Sequence, residues 1–236
     1  VREACAAANV DLSLSITGRD ATGTYLVVLD RNGELISAIN DMRAIESLSV
    51  AQLEKAADSL RAADMLVADC NIEVDCLEWI CRFSAERNVR LVVEPVSVPK
   101  AKKLLAFDRI APLFAITPNR QQIEAMTGER DEKKAIAKLH TMGFTNIVLH
   151  RGGQGALVSS AAAIVDVPSI HADLIADVTG AGDASVAGLI FGLLHGYTLA
   201  DAARLGQAAA SIKLSTRESV ASSLNPDAVV RLARLS

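Results

Sequence analysis

The spacing of apolar positions changes several times along the chain, and each change marks an element. Residues 1–8 read as the tail of a helix, and residues 10–14 as a strand entered from it. Two β-prone runs, residues 25–29 and 34–39, flank Asp30-Arg31-Asn32-Gly33. The Asn-Gly pair supplies the positive φ angles that a tight hairpin turn requires. From Ser49, a residue suited to cap a helix, Leu53, Ala56, Ala57 and Leu60 recur at helical spacing. The chain then alternates: short apolar runs at 65–68, 89–93, 113–116 and 147–149 predict strands, with a helix at 74–87 and helical segments up to Met142. Continuous apolar strands alternating with helices predict a parallel sheet covered on both faces. Two runs within 156–167 predict an antiparallel edge, and three helices starting near Asp183, Leu199 and Pro226 close the chain. No repeat, low-complexity tract or linker interrupts it, so the expectation is one α/β domain over residues 1–236 with a β flap within about 10–42.

Composition narrows this picture. The chain has 236 residues, 50% of them hydrophobic, enough to bury a core without metal or disulfide staples. Aromatics are only 3%, so Ala, Val, Leu and Ile must fill that core. A net charge of −4 argues against a nucleic-acid surface and against a polybasic membrane anchor, but leaves room for a small anion held by local donors. Cys5, Cys70, Cys76 and Cys81 match neither a zinc-site spacing nor a disulfide framework and read as reduced, mostly buried apolar side chains. The first residues lack a signal-peptide pattern, and the apolar stretch around 184–194 is too short to span a bilayer. The expectation is a soluble, cytoplasmic protein in a reducing compartment. Opening on the last turns of a helix without a cap in front leads us to expect a preceding N-terminal piece.

Ligands of open parallel sheets bind at the carboxyl ends of the strands. The most informative loop in such a position is Asp177-Val178-Thr179-Gly180-Ala181-Gly182-Asp183, followed by the small-residue helix from Ala184 to Gly188. Gly180 and Gly182 let successive N–H groups turn into one concavity on a helix N-terminus, which favours negative charge twice over. Asp183 is a carboxylate where a phosphoryl group could be received, placed to take the proton of an attacking hydroxyl. The bland reading is a glycine turn with Asp183 as an ordinary helix cap. The small residues that follow favour the first, because they allow close approach.

This loop resembles the second signature of the PfkB carbohydrate kinases, also called the ribokinase family: Asp, a variable residue, Thr, Gly-Ala-Gly-Asp, then a small-residue helix. Further segments follow in the family's order. Thr117-Pro118-Asn119-Arg120 is similar to the loop entering a helix beside the nucleotide, Arg151-Gly152-Gly153-Gln154-Gly155 to a phosphate turn, and residues 24–42 to the flap over the sugar. Segments 38–42, 68–72 and 94–97 with Lys100 are most similar to the pseudouridine-kinase branch. The resemblance implies a ribokinase-like three-layer sandwich with a mainly parallel sheet and a small β flap, the nucleotide-binding half lying in about residues 110–236. It implies Asp183 as base, Gly180, Ala181 and Gly182 as anion hole, and Asn119, Gly153, Gly155 and Thr179 beside ATP. Asn40, Asp41 and Lys100 would touch substrate. Glu124 would serve Mg2+, while Asp177 and Thr179, with Thr216-Arg217 beginning the second half, would hold a monovalent cation, K+. Partners would be a small-molecule nucleoside or sugar and a second copy meeting through the flap, with no nucleic acid or membrane.

Four departures qualify this. The magnesium helix usually reads Asn, two residues, Glu; here Gln122 takes the last place and Glu124 is the nearest acid. The strand-end acid before Pro95 is Glu94 where an Asp is common, and Ser219 replaces a family glycine after Thr216-Arg217. The family's N-terminal strands and Gly-Gly sugar turn are absent from this sequence. His140, His150, His171 and His195 have no metal-ligand spacing, and Lys100, Lys102 and Lys103 read as a solvated run with Lys100 alone able to face the cleft. The expected function is ATP-dependent phosphorylation of the 5′-hydroxyl of a ribonucleoside, foremost pseudouridine. The alternatives are another sugar or nucleoside kinase of the family, or a catalytically impaired binding protein.

Overall fold

The computed structural model describes residues 2–29, 31, 35–107, 112–172 and 174–235. The chain opens on α1 (Arg2–Ala7), but no strand forms at residues 10–14. Asp11 accepts from the Ser13 N–H and hydroxyl at 2.8 and 2.9 Å, a local turn that competes with extended backbone. No described strand lies alongside to pair this segment, and Val10 and Leu14 stay exposed.

The flap is β1 (Thr24–Leu29) against β2 (Leu35–Asp41), an antiparallel pair standing apart from the main sheet. Leu26 faces Ile39 across it, and Tyr25 faces Asn40. The expected Asn32-Gly33 turn lies outside the described residues. At Ser49 both the N–H and the hydroxyl donate to Gln52 Oε1, so the side chain of Gln52 reaching back fixes this helix start, not a Ser49 hydroxyl accepting from the first turn. The helix beyond is broken at Ala56 into α2 (Val50–Lys55) and α3 (Ala57–Ala62).

The alternating section then builds one six-stranded sheet. Its elements are β3 (Leu66–Asp69), α4 (Val74–Arg87), β4 (Leu91–Glu94), α5 (Val98–Ala101), β5 (Leu113–Ile116), α6 (Arg120–Thr127), α7 (Glu132–Thr141), β6 (Phe144–His150), β7 (Ala156–Ser159) and β8 (Ile164–Val167). The strands lie in chain order, β3 to β6 parallel and β6 to β8 antiparallel. Strand alternation feeds two cores. Ile147, Leu149 and Leu157 join Leu77, Cys81, Ile123, Ile136 and Leu139 of α4, α6 and α7 on one face. Val148, Ala156 and Val158 turn to the other, where α8 (Ala181–Leu194) and α9 (Leu199–Leu214) cover the sheet. α10 (Pro226–Ala233) packs on α9 through Val229 and Ala233. Helices therefore cover both faces, which is the three-layer arrangement anticipated.

The small-residue stripe of α8 has a packing cause. A Cβ on Gly188 would meet Leu205 O at 2.7 Å, and one on Gly206 would meet Ser185 O at 2.6 Å. What approaches α8 closely is thus α9, and the stripe is no longer an argument for a ligand. All four cysteines are free, with Cys70, Cys76 and Cys81 buried. Among the described residues no helix is long and apolar enough to cross a membrane.

Candidate active site

The parallel strands end along one rim, and each delivers a polar group there. β3 ends at Asp69, β4 at Glu94, β5 runs into Thr117 and β6 ends at His150. Glu94 is the centre of this row. Thr117 Oγ1 donates to its Oε2, and the Val96 N–H reaches Oε1 at 3.2 Å. Val96 itself has φ +65°, rare for a β-branched residue, in a tight turn closed by Ser97 N to Pro95 O at 2.7 Å. Burial lifts the Glu94 carboxyl to about 7, and the charges of Asp183 and Asp69 push it the same way.

At the start of α8 the glycines divide into two kinds. Gly180 has φ +82°, and a Cβ there would also press on Ser219 O at 3.1 Å, so the turn demands glycine. Gly182 has no positive φ, and a Cβ on it would meet nothing within 4 Å. The fold does not require glycine at 182, and the space above its backbone is open. Of the N–H groups expected to line the anion hole, that of Ala181 is taken by Val178 O at 3.2 Å. No acceptor among the described residues takes the N–H of Gly182 or Asp183. These two, on the N-terminus of a fourteen-residue helix, are the free donors.

A cavity of about 370 Å³ opens on this helix start. Gly153, Gly155, Ala181 and Gly182 line it, with His150, Ser185 and Gln207. The sequence thus placed four of its expected site residues around one space. Gly155 is structural, since a Cβ there would sit 2.1 Å from Val167 O, whereas Gly153 faces open space like Gly182. Asn119 adjoins this region: it bridges to His150 across the strand ends and caps α6, accepting from Gln122 N at 2.9 Å. The His150 Nε2 is buried without a partner, and burial holds the ring neutral by lowering its pKa to about 4.

A second cavity, about 520 Å³, lies where the flap meets the strand ends. Asp41, Met42, Arg43 and Glu46 line it from the flap side, and Asn71, Glu73, Lys100 and Lys103 from the sheet side. Asp41 and Lys100, expected at the substrate, are brought together here; Asn40 precedes Asp41 on β2. Arg43 Nε donates to Asp41 Oδ1 at 2.9 Å and holds that carboxyl down at about 2. Lys100 Nζ donates to Asn71 Oδ1, and Asn71 is fixed in turn by Asp69 through two bonds of 2.8 Å. Lys103 is not the solvated residue the basic run suggested. Its ammonium bonds the carbonyls of Asn71 and Ile72 at 3.2 and 2.8 Å.

The expected metal residues fare differently. Glu124 pairs with Arg130 at 2.9 Å and does not line the glycine cavity. Gln122 is buried, its Oε1 accepting from Asn119 N at 2.7 Å, and so completes the α6 cap instead of facing solvent. Among the described residues no group of three or more His, Cys, Asp or Glu is arranged to hold a metal ion. Asp177 takes the Thr179 N–H at 2.9 Å, and that bond, aided by Lys213 and Arg217, keeps its carboxyl below the usual range. Lys213 is the unforeseen group: a buried ammonium bonded to Asp177 O and Thr216 O. Asp69, Glu94 and Thr117 stood in segments that the resemblance singled out but were given no individual role, although the strand-end rule points to all three.

Comparison with known proteins follows the same lines. A family model described as pfkB family carbohydrate kinase matches residues 1–226. The chain is 34% identical to a pseudouridine kinase of Escherichia coli (strain K12) over 211 residues, covering 87% of this chain and 66% of that protein. It therefore spans about two thirds of the length of that relative. Its fold is similar to Arabidopsis thaliana ribokinase complexed with ribose and ATP, with a TM-score of 0.75, 19% identity, and 92% of this chain and 71% of the other covered. It is also similar to a Burkholderia thailandensis nucleoside kinase in complex with inosine, with a TM-score of 0.78, 14% identity, and coverage of 99% and 75%.

Proposed function

The chain belongs to the pfkB family of carbohydrate kinases, and on that premise we propose that it transfers a phosphoryl group from ATP to the 5′-hydroxyl of a ribonucleoside, foremost pseudouridine. One observation carries the reading: two cavities open on the carboxyl ends of the same sheet, the first at β6 through His150 and the second just beyond β3 through Asn71. Gly182 lines the first and Asp183 follows it; the charge of Asp183 is felt at Glu94, as is that of Asp69, and Asp69 fixes Asn71 on the wall of the second. A donor in one cavity and an acceptor in the other would meet at Asp183.

In this reading Asp183 takes the proton from the attacking hydroxyl, a role that commonly contributes about 10²–10⁴-fold. The free N–H groups of Gly182 and Asp183, on the positive end of α8, hold the transferred phosphoryl group as charge shifts onto its oxygens. Gly153 offers its backbone to the remaining phosphates in the same cavity, while Gly155, its N–H donated to Gly152 O, shapes the turn. Magnesium, when bound, would neutralise the phosphate oxygens. It ordinarily keeps several waters and takes only one or two carboxylates, so Glu94, at the strand end with the charge of Asp183 acting on it, fits it better than Glu124, which is paired with Arg130.

The second cavity suits a polar heterocycle with ribose hydroxyls. Lys100 and Arg43 are donors for carbonyl oxygens, and Glu46 and Glu73 are acceptors for ring N–H groups. Pseudouridine carries one more ring N–H than uridine, and a carboxylate acceptor rewards that difference. The exposed Leu26, Val28 and Ile39 of the flap would be covered by a second copy of the chain. ATP consumption measured with pseudouridine, uridine, adenosine and ribose tests the assignment. Pseudouridine should give the highest kcat/KM; a preference for ribose, or no turnover with any of the four, overturns it.

A further inference from the structure

Lys213 is one of the largest fully buried side chains of the protein, with 1% of its surface exposed. It sits one position before the end of α9, and its Nζ donates to Asp177 O at 3.4 Å and Thr216 O at 3.2 Å. Those two carbonyls belong to the two segments, 177–179 and 216–217, that the family resemblance assigns to a monovalent cation. A buried lysine needs its hydrogen bonds met, and backbone carbonyl oxygens are also what K+ prefers. An ammonium already carries a single positive charge, so a K+ on the same carbonyls would face a like charge at close range.

The lysine also touches the anion hole. Its Cε lies 3.4 Å from the place a Cβ on Gly180 would occupy, beside Ser219 O. The loop that presents Gly182 and Asp183 therefore rests on the Lys213 stem, and its preceding carbonyl is tied to the Lys213 head. A charged group at this point pulls the 177–180 turn against the end of α9 and fixes where the α8 N-terminus begins.

Building on the kinase reading, we infer that Lys213 is a positioning residue that takes the place of the monovalent cation, a tethered ammonium that orders the anion-hole loop and makes the protein independent of K+. The residues at this site do not fit K+; they fit the lysine they already contain.

The test compares the protein with Lys213→Met, which keeps the length of the stem but removes the charge, in potassium chloride and in choline chloride of equal ionic strength. Two readouts are taken: thermal unfolding without nucleotide, and steady-state phosphorylation. The unmodified protein should unfold at the same temperature and turn over at the same rate in both salts. Lys213→Met should lose about tenfold or more in kcat, with the KM for ATP less affected, a size typical of coupling between separate sites. It should regain part of that loss, and gain unfolding temperature, in potassium or ammonium chloride but not in choline chloride. A lysine that merely fills space would give a destabilised variant with no response to K+, and that result overturns the inference. So does unmodified protein that K+ activates or stabilises. If Lys213→Met does not fold, Lys213→Gln serves the same comparison, and the salt response of the unmodified protein is decisive on its own. The unfolding readout needs no turnover, so a failure of the kinase reading leaves the lysine inference separately decided.

Discussion

Gly182→Ala should separate stability from activity more cleanly than any other single change. Gly182 lies in the first turn of α8, without positive φ, and a Cβ there has nothing within 4 Å. Alanine replaces glycine in a helix with a gain of up to about 1 kcal/mol, less near the end of the helix. In a chain of this size each kcal/mol moves the midpoint by about 2–4 °C, so the variant should melt at the same temperature or slightly higher. The new methyl, however, stands in the space through which a phosphoryl oxygen must come within about 2.7–3.1 Å of the N–H. Losing one such donor commonly costs on the order of 10²–10³ in kcat, about 3–4 kcal/mol of barrier. Scanning calorimetry and an ATP-consumption assay on the same preparation read both quantities. Gly155→Ala is the contrast: its Cβ would sit 2.1 Å from Val167 O at φ +84°, so it should lose stability and activity together. A Gly182→Ala protein that melts normally and keeps more than about a tenth of its turnover would refute the anion-hole assignment.

Three further outcomes follow from the same geometry. Asp183→Asn should lower turnover by about 10²–10⁴-fold while nucleotide affinity, read by calorimetric titration, stays nearly unchanged; retention of more than about a tenth of the rate excludes Asp183 as the base. Burial raises Glu94 to about 7 from its ordinary 4.5, so the folded protein keeps a proton that the unfolded chain has released across that window. Stability should therefore fall between about pH 4.5 and 7 and be level above, by on the order of 3 kcal/mol at most. Glu94→Gln should remove that slope in urea titrations run at about pH 5 and about pH 8, and an unchanged slope contradicts the assignment. Leu26→Lys on the exposed flap face should convert a dimer to monomers in sedimentation analysis without unfolding the main sheet; an unchanged mass would count against pairing through the flap.

The physics that made parts of this protein legible is local, and what stayed hidden depends on distant neighbours. Strands β3 to β6 could be read because continuous apolar runs between helices have few other uses, and the glycine turn into α8 because glycine spacing and a helix start are adjacent in sequence. Residues 10–14 have the apolar content of a strand, yet a strand exists only when another backbone pairs with it, and Asp11 offered a nearer partner. Gln122 looked like a weakened metal residue; the backbone N–H of Asn119, three positions earlier, had the prior claim on its side chain. The α8 stripe of small residues signalled close approach correctly but not by what, because α9 lies some twenty positions further on. Lys213 illustrates the limit most sharply. In sequence it is one lysine in an otherwise apolar stretch of α9, where a charged residue usually reaches solvent along its own stem. Only the return of the chain at Asp177 and Thr216 gives its ammonium two buried carbonyls to satisfy. The two segments that supply them, 177–179 and 216–217, are those that the family resemblance assigns to a monovalent cation. The buried ammonium is therefore visible only in the fold, where residues far apart in sequence meet.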